Sequence, residues 1–184
     1  MRTSADSPIQ IAELAIPGEP GLIGVTFCPG KTDPHAMTGA WHRDLATDLG
    51  AIRAWGARAV VTLLEDFEFA LLQVAGLGDA VRKLGMEWYH LPIRDGSIPN
   101  AAFEEKWNAA GPKLRAILRD GGRIVVHCRG GLGRAGMIAA RLLVEFGMQP
   151  DDAIVAVRRS RGPYAIETLE QEAYVRRCRP VPDD

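Results

Sequence analysis

One stretch limits what this chain can fold into more than any other: HCRGGLGR, residues 127–134. It follows the apolar run Ile124, Val125 and Val126 and leads into a helical pattern from Arg134 to about Phe146. Strand, glycine-rich turn and helix in that order place a helix N-terminus at the end of a strand. Such an N-terminus carries unpaired N–H groups and the positive end of the helix dipole. It is therefore a site for an anion. Gly130, Gly131 and Gly133 let the backbone curl so that successive N–H groups point inward. Arg134 closes the cradle with paired hydrogen bonds to an oxyanion. Arg129, Gly130, Gly131, Leu132, Gly133 and Arg134 are thus expected to line a phosphate site with Cys128 at its base. The same dipoles favour a thiolate. A thiolate beneath a bound phosphate is set for in-line attack on phosphorus. His127 is expected to order the loop rather than to move protons.

The remaining pattern supplies the frame. Strands are expected over Ile9–Ile16, Leu22–Phe27, Ala59–Leu64, Met86–Leu91 and Arg123–His127. Residues 29–38 read as a loop. Helices are expected over Arg43–Trp55, Phe67–Leu84 with a break near Gly76 and Gly78, Asn100–Arg119, Arg134–Phe146, Pro150–Arg159 and Glu167–Arg177. Alternating strands and helices imply an α/β three-layer sandwich, a mostly parallel central sheet flanked by helices. At 184 residues the chain is expected to form one domain over 1–184, with the polar residues 1–8 frayed.

Attack by a thiolate expels an alkoxide or phenolate, which needs a proton, and a positioned carboxylic acid is the usual source. Asp95 in LPIRDGSIP lies in a Gly/Pro-rich loop after a strand, where it can serve. Asp-Gly is also an ordinary turn pair, so local sequence alone leaves both readings open.

A formal net charge of −1 gives no excess of Lys and Arg to attract nucleic acid or an anionic membrane. No apolar run approaches the roughly 20 residues of a membrane helix, and MRTSADSPIQ has no apolar signal core. Three cysteines, Cys28, Cys128 and Cys178, do not build a disulfide framework, so a reducing, cytoplasmic setting is expected. His35, His42, Asp33 and Asp44 fit no tight metal spacing. No metal and no cofactor is expected.

His127, Cys128 and Arg134 match the signature of the cysteine-dependent protein phosphatases. With Asp95 upstream of the cysteine, the order resembles the tyrosine and dual-specificity phosphatases. FCPGK, RDLATDLGAIRAWGA, LPIRDGSIP, HCRGGLGRAGMIAARLL and AIETLEQEAYV resemble the kinase-associated (cyclin-dependent kinase inhibitor-type) branch, over about Gly21 to Val175. The resemblance implies a protein tyrosine phosphatase-like fold, with Cys128 as nucleophile, Arg134 holding phosphate and Asp95 as acid. It also implies a metal-independent phosphomonoesterase acting on phosphotyrosine- or phosphothreonine-type substrates through a phosphocysteine. By the same analogy, Gln171 is a candidate for positioning the hydrolytic water, against the reading of a solvated helix residue. One departure is Ala135, where most members have Ser or Thr after the loop Arg. Loss of that hydroxyl is expected to slow breakdown of the phosphocysteine.

Three rival readings stand beside this one. The chain could recognise phosphate with little or no turnover, could act on a soluble phosphorylated metabolite, or could transfer sulfur or reduce arsenate through a similar loop. Further candidates are Glu65 and Asp66 at the ligand side of a strand, and Cys28 as a thiol partner for oxidised Cys128. Arg158, Arg159 and Arg161 are expected to be solvated.

Overall fold

The computed structural model describes residues 1–36 and 38–182; Met37, inside the expected loop 29–38, lies outside the described residues. Its centre is a five-stranded sheet. β1 (Ala12–Ala15) runs antiparallel to β2 (Leu22–Thr26) at one edge. Then β2, β7 (Arg123–His127), β5 (Ala57–Thr62) and β6 (Glu87–His90) lie parallel in that order. Side chains alternate across β7 as the period of a strand requires. Ile124 and Val126 enter one core, Val125 the other.

The first core is closed by α4 (Ala101–Arg119), α5 (Gly133–Glu145), α6 (Pro150–Arg161) and α7 (Leu169–Arg177). The second is closed by α1 (Leu45–Ala54), α2 (Asp66–Leu71) and α3 (Leu77–Lys83). Cover on both faces is why the central strands read as unbroken apolar runs. This is the expected three-layer α/β sandwich with a mostly parallel sheet. Among the described residues, no helix is long and apolar enough to cross a membrane.

Register places the chemistry. Thr26, His127, Thr62 and His90 stand side by side at the C-terminal ends of their strands. The loops that leave these residues meet at one edge, where open α/β sheets bind ligands.

Several elements differ from expectation. A two-stranded hairpin, β3 (Thr32–Asp33) with β4 (Trp41–His42), begins inside the expected loop. The stretch 67–84 breaks between Leu71 and Leu77, where Gln73 takes φ 59°; the break reaches Gly76 as expected, as N-cap of α3, but not Gly78. Gly78 lies within α3 and packs against the Trp88 ring, from which a Cβ would stand only 2.5 Å. Glu167 precedes α7 instead of starting it, because Thr168 is the N-cap. Residues 1–8 are tied down rather than frayed. Arg2 N–H donates to the Ala40 carbonyl at 2.9 Å, and Arg43 Nη1 donates to the Ser7 carbonyl at 2.8 Å.

Candidate active site

The loop after β7 owes its shape to three clamps on its carbonyls. The Arg129 carbonyl accepts from Cys28 N–H at 3.3 Å and from Lys31 Nζ at 3.2 Å. The Gly130 and Gly131 carbonyls accept from Arg161 Nη2 at 3.1 Å and Arg161 Nε at 2.9 Å. In a trans peptide the N–H points opposite the carbonyl. Tying these three carbonyls outward therefore turns the following N–H groups, of Gly130, Gly131 and Leu132, inward. Gly131 N–H shows the result: it donates to Cys128 Sγ at 3.2 Å. The loop then enters α5, whose first turn adds N–H groups without intrahelical acceptors.

The three glycines have separate reasons. Gly131 has φ 68°, and a side chain on it would collide with the Thr26 carbonyl. Gly133 is helical, and a side chain there would collide with Glu167 Oε2. Gly130 has neither constraint, so the expectation that all three glycines make the curl is corrected to Gly131 alone.

Arg134 is 1% exposed, and its guanidinium is held from beneath. Nη1 and Nη2 fork onto Glu68 Oε2 at 2.6 Å and Oε1 at 2.9 Å. Nη1 also donates to the Ile93 carbonyl at 3.1 Å. Nη2 meets Asp95 Oδ1 at 3.2 Å. The remaining donor, Nε, is buried with no protein partner. A buried unpaired donor costs about 1–3 kcal/mol, so an acceptor that reaches this N–H is stabilised by it. Asp95 is exposed, and Oδ1 accepts Gly96 N–H at 3.1 Å.

The structure thus brings Cys128, Arg134 and Asp95 together. It moves the Arg129 side chain out of the cup: Nε and Nη2 both bond to Asp33, each at 2.9 Å. Arg129 therefore enters the cradle by its backbone only, and the fork holds Asp33 below the usual carboxylate range despite burial. Lys31 stands with Nζ 5.3 Å from the Phe27 ring centre and 4.8 Å from that of Trp41, so FCPGK forms a wall behind the loop.

A family model described as "Polymorphic toxin system, DSP-PTPase phosphatase" matches residues 36–148. The chain belongs to the dual-specificity, cysteine-dependent phosphatase family. Cyclin-dependent kinase inhibitor 3 of Rattus norvegicus is 30% identical over 139 residues, 74% of this chain. The match spans 64% of that relative's own length. Protein tyrosine phosphatase type IVA 3 of Homo sapiens is 31% identical, over 74% of this chain and 72% of its own. A crystal structure of kinase-associated phosphatase, with serine replacing its catalytic-site cysteine, superposes with TM-score 0.81 and 25% identity. It covers 92% of this chain and 93% of the other.

Within this phosphatase fold, other candidates take definite places. Gln171 is fully buried, not a solvated helix residue. Its Oε1 accepts Glu167 N–H at 2.9 Å and its Nε2 donates to the Ser97 carbonyl at 3.2 Å. Both ends of the amide are engaged, so Gln171 fastens the Asp95 loop to the segment before α7. Arg158 bonds to the Ala165 and Ile166 carbonyls and to Glu172, and Arg161 clamps the loop; only Arg159 of the three is exposed as expected. Glu65 is the N-cap of α2 and Asp66 is exposed beside it. Both line a cleft of about 500 Å³ with Phe67, Arg94 and Lys106. Cys28 is fully buried, which pushes its thiol far up and leaves it protonated. Ala135 is buried and offers only a methyl group.

Glu68 and Arg161 were not among the expected site residues. Glu68 carried a signal: it stands one helical turn before Leu72, which is buried. A carboxylate on such a face needs a buried partner.

His127 is fully buried and held at both nitrogens. Nδ1 lies 3.3 Å from the Cys128 carbonyl, which only accepts, so the neutral ring carries its proton there and Nε2 accepts the Thr62 hydroxyl at 2.8 Å, while Trp88 Nε1 donates to Thr62 Oγ1 at 2.8 Å. Burial, with repulsion from Arg134 and His90, pushes the imidazolium down to about 4. The folded state binds this proton more weakly than the unfolded chain, whose histidine titrates near 6.5. The stabilisation is therefore complete above pH 6.5 and is lost as pH falls from 6.5 through 4, by about 3 kcal/mol. Urea unfolding at pH 7 and pH 4.5 should show a steeper fall for wild type than for His127→Gln. Equal slopes would refute the assignment.

Proposed function

We propose that this chain hydrolyses phosphate monoesters on protein side chains in two steps, through a phosphocysteine at Cys128 and without need of a metal. The observation that carries this reading is the unpartnered, buried Nε of Arg134, in a cup whose floor is Cys128 Sγ under the Gly131 N–H. A phosphoryl oxygen satisfies that donor. A second oxygen takes Nη2 from Asp95, which frees the carboxyl to face the leaving group.

In the first step Cys128 Sγ bonds to phosphorus while the P–O ester bond breaks, and the departing oxygen takes a proton from Asp95. In the second, water attacks phosphorus with its proton passing to Asp95, the P–S bond breaks and inorganic phosphate leaves. Charge on the three equatorial oxygens is met by the loop N–H groups and Arg134. Residues 1–184 act in this reading as one domain in a reducing, cytoplasmic setting, where the cysteines stay free thiols. The substrate is a phosphorylated tyrosine or threonine; a cyclin-dependent kinase is not carried over from the relatives.

The test is turnover in EDTA of two substrates with different leaving groups, by wild type and Asp95→Asn. A phosphothreonine peptide needs the proton and should lose about 10²- to 10⁴-fold. p-Nitrophenyl phosphate, whose leaving group is stable as an anion, should lose far less. No turnover by wild type on either substrate contradicts the function. Equal losses on both contradict the acid.

A further inference from the structure

The cup holds more negative charge than phosphate capture requires. Arg134 is already forked by Glu68, Arg129 is forked by Asp33, and Asp95 lies on Arg134. Glu167 adds another carboxylate at the rim, and the chain makes specific accommodation for it.

The backbone ahead of Glu167 is strained. Ile166 takes φ 60°, a left-handed conformation that a β-branched residue seldom adopts. It is held there from both sides. Its N–H donates to the Leu132 carbonyl at 3.3 Å, and its carbonyl accepts Arg158 Nη2 at 3.0 Å. Glu167 N–H is then fixed by Gln171 Oε1. Strain held by surrounding bonds is commonly found at functional sites. Its effect here is to lay the Glu167 carboxylate against Gly133, the first residue of α5. A Cβ at Gly133 would stand 2.3 Å from Glu167 Oε2, so a side chain there would push the carboxylate from this place. The helix start that would receive a phosphate thus already has a carboxylate beside it. Partial burial and the adjacent Asp95 raise the Glu167 carboxyl above its ordinary range, with Arg134 opposing them.

We propose that Glu167 is a specificity-determining residue: its charge at the rim disfavours substrates with further negative charge beside the transferred phosphate and favours phosphopeptides with Lys or Arg flanking the phosphorylated residue. This rests on the phosphatase reading above. Two like charges a few ångströms apart at a protein surface interact strongly enough to change affinity about tenfold.

The test uses wild type and Glu167→Gln at low ionic strength, where screening is least. Two phosphopeptides differ only in carrying Lys or Glu on each side of the phosphorylated residue. Wild type should prefer the Lys peptide in kcat/KM, and Glu167→Gln should shrink that preference about tenfold, by gaining on the Glu peptide. An unchanged ratio overturns the proposal, as does a fall in kcat alone, which would assign Glu167 to turnover. A second reading needs no turnover. In a Cys128→Ser background, calorimetry with inorganic phosphate should show about tenfold tighter binding when Glu167→Gln is added; unchanged affinity again overturns it. Failure of wild type to hydrolyse either peptide would sink the phosphatase reading instead, with the calorimetry still deciding the charge at the rim.

Discussion

Cys128→Ser should lower phosphomonoester hydrolysis by on the order of 10⁵- to 10⁶-fold, as removal of an attacking group does in enzymes whose site residues act as a unit. The serine hydroxyl fits the same floor, yet it is not ionised by loop dipoles near neutral pH and is a poor attacker on a phosphate ester. Binding should behave differently. The inward N–H groups of Gly130, Gly131 and Leu132 are set by clamps from Arg161, Lys31 and Cys28, none of which involves the thiol. The variant should therefore bind inorganic phosphate while failing to turn substrate over. Activity within tenfold of wild type, measured with p-nitrophenyl phosphate in EDTA, would remove Cys128 from the chemistry.

Arg134→Lys should cost about 10³-fold or more in kcat/KM. The guanidinium forks onto both oxygens of Glu68 and keeps Nε without a protein partner. An ammonium is a point charge on a flexible stem and cannot keep both sets of bonds. Stability should fall too, since an ammonium keeps the charge opposite Glu68 but cannot replace both bonds of the buried fork. Glu68→Ala separates the two contributions. It leaves the phosphate-binding group in place but removes its anchor, so kcat/KM should drop while Arg134 retains its charge. A Glu68→Ala protein with wild-type turnover would show that the fork only stabilises the fold. Urea unfolding of each variant tells loss of structure from loss of chemistry.

The cup was legible in the sequence because its parts are close along the chain. Strand, glycines, Cys128 and Arg134 occupy one run of residues, and helix-start physics gives them one outcome. Asp95 was legible more weakly, from its place after a strand and from family order. Partners that meet the cup from elsewhere were not. Arg161 reaches Gly130 and Gly131 from the end of α6, and Glu68 reaches Arg134 from α2. Nothing local to either residue says which loop it will face. The constraint on Gly133 comes from Glu167 across the fold, which no local pattern shows. Arg129 illustrates the same limit: its place in the loop was clear, but Asp33, which draws its side chain away, sits in a hairpin that the loop-like composition of 29–38 concealed.

The most direct measurement is acid quenching of wild type during turnover of p-nitrophenyl phosphate, followed by mass analysis of the peptide containing Cys128. Ala135 gives the departing thiolate no hydroxyl, and a lost hydrogen bond to a charged group is worth roughly 1.5–3 kcal/mol. Breakdown of the intermediate should then be slowed by about 10- to 150-fold. The expected result is a burst of nitrophenol and a phosphoryl group on Cys128 in a large fraction of the protein, reduced by Ala135→Ser. Sustained turnover with no phosphoryl group on Cys128 in either protein would contradict the covalent mechanism.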